Sequence, residues 1–261
     1  MQSHFKITFP LILTFGDSSA INFTFKRSDT LEFKTGIYYL CGHNGSGKTT
    51  FVNMLSLISG YIGEKVNDMG VIRFNGEPYN GGDFNYIRAA EIREKYFCIF
   101  PQKTFFLPIS TRDNYVVLNG TEKEKEESFS SLESPDFLSG GQQQKILMDI
   151  VLDEKKPVWF LDEPLTNMDS ERRSYFWKTL ENAFNKGLLT VFFIDHWMDS
   201  VIKSDKDFRY YGTLSSRIEN LWRDKPSYSK IQEIEIYENS FPDKFINKQV
   251  RKIKREMSSN K

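Results

Sequence analysis

The segment Gly42-His43-Asn44-Gly45-Ser46-Gly47-Lys48-Thr49 sets glycines, a lysine and a hydroxyl in the order G-x-x-x-x-G-K-[ST]. Glycine at 42, 45 and 47 permits positive φ angles and a close backbone approach that a Cβ would block. Lys48 can reach β and γ phosphates, and Thr49 can offer its hydroxyl to Mg²⁺. This spacing suits a polyphosphate, held by backbone N–H groups and the positive end of a helix. Further along, the apolar run Pro157 to Glu163 (PVWFLDE) ends in two carboxylates. Asp162 is placed to hold Mg²⁺ through water, and Glu163 to accept a proton from an attacking water. Burying such a pair without a cation would be costly. Gln102 follows Phe97 to Pro101 (FCIFP), where its amide can bridge metal and water. His196 follows Val191 to Asp195 (VFFID), where its imidazole can hydrogen-bond a γ-phosphate. Either residue alone would read as a capped or solvated strand end. Their order along the chain assigns both to phosphoryl transfer.

Elements must hold these groups in place. Ile37 to Cys41 (IYYLC) predicts a short buried strand and Thr50 to Leu57 (TFVNMLSL) a helix, so strand, glycine-rich turn and helix start follow one another. Residues 1 to 35 alternate apolar and polar side chains (FKITF, INFTF, TLEF) as antiparallel strands do, and Gly70 to Gly76 (GVIRFNG) adds one more. These strands are expected to form a side lobe. The expected core is an α/β sheet built from the strands before Lys48, Gln102, Asp162 and His196, with the active residues at the strand ends.

With Leu138-Ser139-Gly140-Gly141-Gln142 added, the chain resembles the ATP-binding cassette family: the nucleotide-binding subunits of ABC transporters and their soluble relatives. The resemblance covers residues 1 to 215. It rests on the Walker A loop (GHNGSGKT, 42 to 49), the Q-loop (Gln102), the signature (LSGGQ, 138 to 142), Walker B with its glutamate (WFLDE, 159 to 163), a D-loop aspartate (Asp169) and the switch histidine (His196). It implies a P-loop NTPase (RecA-like) core with an antiparallel β side lobe and a short inserted α-helical subdomain at 103 to 150. It also implies an ATPase that uses ATP and Mg²⁺. The implied nucleotide site is Gly42, His43, Asn44, Gly45, Ser46, Gly47, Lys48, Thr49 and Thr50, with Thr49, Gln102 and Asp162 at the metal and Glu163, His196 and Gln102 as catalytic residues. Ser139, Gly140 and Gly141 precede the helix expected over Gln142 to Leu152 and so present free N–H groups to an anion. In the family that site grips the γ-phosphate held by the other subunit. Ser139, Gly140, Gly141, Gln142 and Asp169 would therefore act in trans, in a head-to-tail dimer that sandwiches two ATP molecules. The adenine-stacking aromatic should lie in the first strands, and Phe15 is chosen over Phe23 and Phe25. In so phenylalanine-rich a segment a core role is the commoner one for any single ring.

Several places depart from the family pattern. The D-loop reads Thr166-Asn167-Met168-Asp169 where serine, alanine, leucine and aspartate are usual. The interval from Gln102 to Ser139 is short for a transporter cassette, and its middle, Thr121 to Asp136, is a charged, serine-rich solvated helix or loop. Phe105, Phe106 and Leu107 either border the groove that receives a membrane partner or are buried within the lobe. Residues 216 to 261 read as a C-terminal extension ending in a basic tail around Arg251-Lys252-Ile253-Lys254-Arg255. A solvated, frayed helix is expected there, with contact to anionic lipid or nucleic acid as the alternative.

The chain has 261 residues, 39% hydrophobic and 27% charged, which places it among folded globular proteins with a sizeable core. Its 35 basic residues balance 35 acidic ones, so no global field recruits nucleic acid or membrane. No apolar run approaches the roughly 18 residues that span a bilayer, and the N-terminus lacks a signal-peptide shape. The expected location is the cytoplasm, peripheral at the inner face of a membrane that another chain spans. Cys41 and Cys98 lack metal or redox spacing and read as small core residues in a reducing compartment. The three histidines are scattered, so a zinc site is not expected.

Two function classes follow. The first is the energy subunit of a transporter, whose ATP-driven closure and hydrolytic reopening move a separate transmembrane chain. The second is a soluble ATPase acting on a macromolecule in cofactor assembly, defence or association with nucleic acid. The short interval before the signature excludes the coiled-coil chromosome and DNA-repair members, and the chain length excludes two cassettes. Intact Lys48, Asp162, Glu163 and His196 argue against an inactive scaffold.

Overall fold

The protein is described from a computed structural model. It describes residues 5–15, 21–58, 70–78, 86–102, 106, 108, 110, 113–114, 134, 137–152, 155–166, 168–188, 190–220, 227–228, 231–240 and 242–259. The strands in chain order are β1 (Phe5–Ile7), β2 (Leu11–Phe15), β3 (Ile21–Lys26), β4 (Leu31–Phe33), β5 (Gly36–Cys41), β6 (Ile72–Phe74), β7 (Glu77–Pro78), β8 (Phe97–Phe100), β9 (Val158–Asp162), β10 (Thr190–Ile194), β11 (Arg209–Asn220), β12 (Ser227–Tyr228) and β13 (Gln232–Asn239). The helices are α1 (Lys48–Leu55), α2 (Tyr86–Tyr96), α3 (Gly140–Val151), α4 (Ser170–Asn185), α5 (Asp199–Ser204) and α6 (Pro242–Ser259).

Strands β5, β10, β9 and β8 lie side by side and parallel, with Phe193 opposite both Tyr39 and Leu161, and Phe100 opposite Leu161. Every residue of β5, β9 and β10 is buried. Their unbroken apolar runs suit parallel strands covered on both faces. Beyond β5 the sheet continues antiparallel through β13, β11, β3 and β2. A smaller antiparallel sheet holds β4, β1, β6 and β7 in that order.

The strands of residues 1–35, expected as one side lobe, are therefore divided between two sheets. The smaller sheet lays Phe5, Phe33 and Phe74 onto the core face of the larger one. Phe192 meets Phe5 edge-on at 5.4 Å and Phe33 at 4.9 Å, and it stacks on Phe160 at 5.0 Å. Such tilted and stacked pairs add to the burial of large apolar rings and fix how the two sheets seat on each other.

The opposite face of the large sheet carries α4 and α6. Trp177 of α4 stacks over Phe193 at 6.1 Å, and Phe245 of α6 stands edge-on to Trp177 at 5.5 Å and to Phe208 at 4.9 Å. Phe245, Ile246, Val250 and Ile253 are buried while Arg251, Lys252, Lys254 and Arg255 are exposed, so the basic run is the outer face of an amphipathic helix packed on the core. Of the residues from 216 onward, expected as an extension, the end of β11, β12 and β13 belong to the large sheet and α6 packs on its face. Strand β11 runs unbroken through position 215, and β13 sits between β11 and β5. The sequence QEIEIYEN of β13 has the period-2 alternation of a strand, but it lies outside every motif and so went unassigned.

Candidate functional site

The phosphate-loop sequence turns from β5 into α1, which starts at Lys48 and ends at Leu55, ahead of the span expected from its apolar spacing. Gly45 and Gly47 adopt φ of 78° and 91°, the left-handed region that glycine enters without a Cβ penalty. Gly47 is the N-cap and offers no side-chain bond, so the first-turn N–H groups of α1 face the loop mouth. A Cβ on Gly42 would stand 2.8 Å from the Glu233 carbonyl of β13. The buried Ser216 hydroxyl of β11 donates to the Ser46 carbonyl at 2.6 Å. The C-terminal strands thus brace the loop from behind. Lys48 is buried, and its Nζ donates to the carbonyls of Gly42 at 2.7 Å and His43 at 3.1 Å. Burial pulls the Lys48 pKa down, and the nearby carboxylates of Asp199 and Asp162 oppose that shift.

At the end of β9 the two carboxylates occupy different environments. Asp162 is buried, and burial raises its pKa against a hydrogen bond from Thr49 and the nearby Lys48 charge. Among the described residues its Oδ1 has no hydrogen-bond partner. A buried carboxylate oxygen beside a threonine hydroxyl is a hard-oxygen donor set that fits Mg²⁺. Glu163 instead turns out of the strand with φ of 51°, a sparsely populated conformation for a residue with a side chain, while its N–H donates to the Ile194 carbonyl at 2.7 Å. This turn presents its carboxylate to three groups. Gln102 Nε2 donates to Oε1 at 3.0 Å, Thr166 Oγ1 donates to Oε2 at 3.4 Å, and His196 Nε2 lies 3.9 Å from Oε1.

His196 opens a 3₁₀ turn (His196–Met198) rather than continuing β10. Asp195 caps that turn, accepting from Trp197 N at 3.0 Å and from Leu165 N at 3.1 Å, and so ties the turn after β9 to the histidine. Burial pushes the Asp195 carboxyl up to about 6 in spite of those two bonds. Asp195, Tyr39 and Asp199 touch this constellation yet belong to no motif assigned from sequence, and Thr166 enters there only as the first residue of the D-loop. The one available signal was Asp195, an aspartate at the N-cap position of a helical turn.

The signature segment begins α3 two residues earlier than expected. Ser139 is its N-cap: Ser139 Oγ accepts from Gln142 N at 3.4 Å, and Gln142 Oε1 accepts from Ser139 N at 2.9 Å, a capping box. Gly140 and Gly141 therefore form the first turn of the helix rather than precede it. A Cβ on Gly141 would run into the Arg172 guanidinium, which pairs with Asp169 at 3.4 Å. Asp169 N-caps α4, its Oδ1 accepting from Arg172 N at 2.9 Å, and Gln144 Nε2 donates to the Pro164 carbonyl at 3.5 Å. Arg172 thus joins the signature to Asp169 within one chain.

The side chain of Phe15, together with Asn167, Phe105, Leu107 and most of 103–136, lies outside the described residues. Phe25, an alternative for adenine, is a core residue tilted against Phe51 at 5.4 Å. Phe106 is half-buried against the core cluster that contains Trp159 and Met148. Cys41 and Cys98 are buried thiols, and the Cys98 thiol donates to the Val151 carbonyl at 2.9 Å.

A family model described as ABC transporter matches residues 27–166, more than half of the chain. Among curated proteins, the energy-coupling factor transporter ATP-binding protein EcfA2 of Acetivibrio thermocellus is 26% identical over 191 residues, which cover 66% of this chain and 64% of that protein. The tungstate uptake system ATP-binding protein TupC of Campylobacter jejuni is 28% identical over 207 residues, covering 70% of this chain and 58% of that protein. The chain therefore spans less than two thirds of the length of these two relatives. Among solved structures, the dimeric post-hydrolysis ATP-binding cassette MJ0796 bound to ADP and Pi superposes with a TM-score of 0.53 at 18% identity, covering 74% of this chain and 88% of that one. A second dimeric structure of the same bacterial ABC transporter cassette gives 0.54 at 17% identity. Among the described residues no helix is long and apolar enough to cross a membrane. Fold, motif geometry and family match agree, and the chain belongs to the ABC transporter family.

Proposed function

We propose that the chain binds MgATP in a head-to-tail pair of cassettes and hydrolyses it to power transport through a separate transmembrane subunit. The observation that carries this reading is the convergence of Gln102, Glu163 and His196, delivered by three neighbouring parallel strands, beside the loop that holds Lys48. In this reading the loop N–H groups from Gly42 to Thr50 cradle the phosphates. Lys48 exchanges its bonds to the Gly42 and His43 carbonyls for the β and γ phosphates. Thr49 and Asp162, with Gln102, would hold Mg²⁺, which when bound offsets the charge of the phosphate oxygens. Glu163 takes the proton of the attacking water, oriented by the Gln102 amide and the Thr166 hydroxyl. His196 donates to the γ-phosphate. Ser139, Gly140, Gly141, Gln142 and Asp169 complete the site of the other copy, with Arg172 holding them as one unit.

The names of the relatives support the transport arm, since both are ATP-binding proteins of uptake or energy-coupling transporters. A transmembrane partner would dock beside Gln102 near Phe105–Leu107, placing the chain at the cytoplasmic face of a membrane. Glu163→Gln is the test. Nucleotide binding should persist while turnover falls roughly 10² to 10⁴-fold, the range for loss of a general base. Light scattering should show this variant monomeric alone and dimeric with MgATP, with Ser139→Arg abolishing the dimer. A mass unchanged by MgATP at all concentrations would overturn the sandwich. Recovery of the wild-type chain only from cytosol, bound to a soluble partner, would overturn the transport role.

A further inference from the structure

The switch histidine has a partner on its other side. Asp199, at the start of α5, presents Oδ2 3.6 Å from His196 Nδ1, while Nε2 of the same ring points to Glu163. The Asp199 carboxylate is itself held. The Tyr39 hydroxyl donates to its Oδ1 at 3.1 Å. Tyr39 and Cys41 are both buried in β5, two residues apart and therefore on one face of the strand that leads into the phosphate loop. A chain of contacts accordingly runs from the phosphate-loop strand through Asp199 and His196 to Glu163.

An imidazole that donates to an anion from Nε2 can face a carboxylate with Nδ1 only when Nδ1 carries a proton as well. A carboxylate only accepts. We propose that Asp199, braced by Tyr39, is a positioning residue that holds the Nδ1–H of His196 and so aims Nε2 at the reacting phosphate. The separation of 3.6 Å is longer than a hydrogen bond, and contacts of this kind commonly tighten when substrate fills the site. The carboxylate also supplies a counter-charge for a ring that carries protons on both nitrogens while donating to an anion. This inference rests on the proposed role of His196 in hydrolysis.

The test combines two readouts in the full-length protein. The chain has 3 histidines, so ¹⁵N-histidine labelling with His196→Ala as the assignment control resolves the ring nitrogens of His196. With MgATP bound, wild type should carry a proton on Nδ1 as well as on Nε2, and Asp199→Asn should lose the one on Nδ1. Steady-state kinetics of Asp199→Asn should show kcat reduced roughly ten- to a hundredfold with KM for MgATP within about threefold, a loss confined to the transition state. Tyr39→Phe should shift both readouts in the same direction by less, and Asp199→Glu should recover part of each. Unchanged ring nitrogens in Asp199→Asn, or kcat within about twofold of wild type while His196→Ala is impaired, would overturn the proposal. Wild-type turnover in His196→Ala would instead reject the hydrolytic role of the histidine, and the ring-nitrogen readout would still decide whether Asp199 holds the Nδ1 proton.

Discussion

Phe245→Ala should destabilise the whole cassette, although the residue lies in the basic C-terminal helix, far along the chain from any motif. Phe245 is 3% exposed and stands edge-on to Trp177 and Phe208. Removing a buried phenylalanine side chain costs about 3–5 kcal/mol through lost transfer energy and the cavity left behind. The upper part of that range applies here. An apolar void of ≈ 10 Å³ already lies beside the ring, between Ile37, Tyr39, Trp177, Phe193 and Met198. The truncation would enlarge this void among rings that belong to β5, β10 and α4 and have little room to collapse. For a domain of this size the loss lowers Tm by roughly 6–20 °C. Urea unfolding followed by tryptophan fluorescence should show a lower midpoint with an unchanged slope. Lys254→Ala, on the exposed face of the same helix, should stay within about 0.5 kcal/mol of wild type. A Phe245→Ala loss below about 1 kcal/mol would mean that the helix detaches before the core unfolds. The helix would then be the frayed tail that composition alone suggests.

Lys48→Ala should weaken nucleotide binding and nearly eliminate hydrolysis, since it removes the one side-chain cation the loop aims at the phosphates; equilibrium dialysis with a turnover assay checks both. Ser216→Ala should leave the buried Ser46 carbonyl without its donor at a cost of about 1–3 kcal/mol, lowering the midpoint of urea unfolding and raising the dissociation constant for ATP, with Ser216→Thr closer to wild type. Asp195 holds its proton up to about 6 in the folded chain against 3.8 for the ordinary carboxyl, so the native state binds more protons across that window. Its contribution is fully present below 3.8 and is lost as pH rises through about 6. Asp195→Asn should therefore flatten the decline in stability between those values, measured by urea titrations at stepped pH.

The site was legible because its chemistry is written in short fixed strings. A phosphate cradle needs glycine at 45 and 47 for φ above zero, and a catalytic carboxylate must follow a buried strand. Gln102, Glu163 and His196 come from separate parallel strands, and only their shared order hinted that they meet. Their supports were not legible. Tyr39 and Ser216 act through single hydrogen bonds across many residues, which no local spacing records, and Asp199, three residues from His196, sits in no motif. The split of the N-terminal strands between two sheets was hidden for a related reason: alternation marks a strand but not its partner. In α6 the charge run Arg251–Arg255 drew attention to the solvent face, whereas the packing signal was the stripe Phe245, Ile246, Val250 and Ile253 on the other side.

The adjacent acids show how one backbone turn divides labour between like groups. Asp162 continues β9, so its side chain stays in the buried layer beside Thr49 and near Lys48, where a bare carboxylate is disfavoured until a cation arrives. Glu163 leaves the strand at positive φ, and its N–H crosses to the Ile194 carbonyl, which ties the turn to the strand that carries His196. The strain of that conformation, on the order of 1–3 kcal/mol, is offset by this bond and by those from Gln102 and Thr166. Were Glu163 to continue the strand instead, its alternation would carry the carboxylate to the opposite face, away from the Gln102 amide and the histidine ring. In the proposed reading the two acids serve a metal and a water only because the second has abandoned strand geometry, and Gln102 and Thr166, which hold it there, lie beside the water that it would activate.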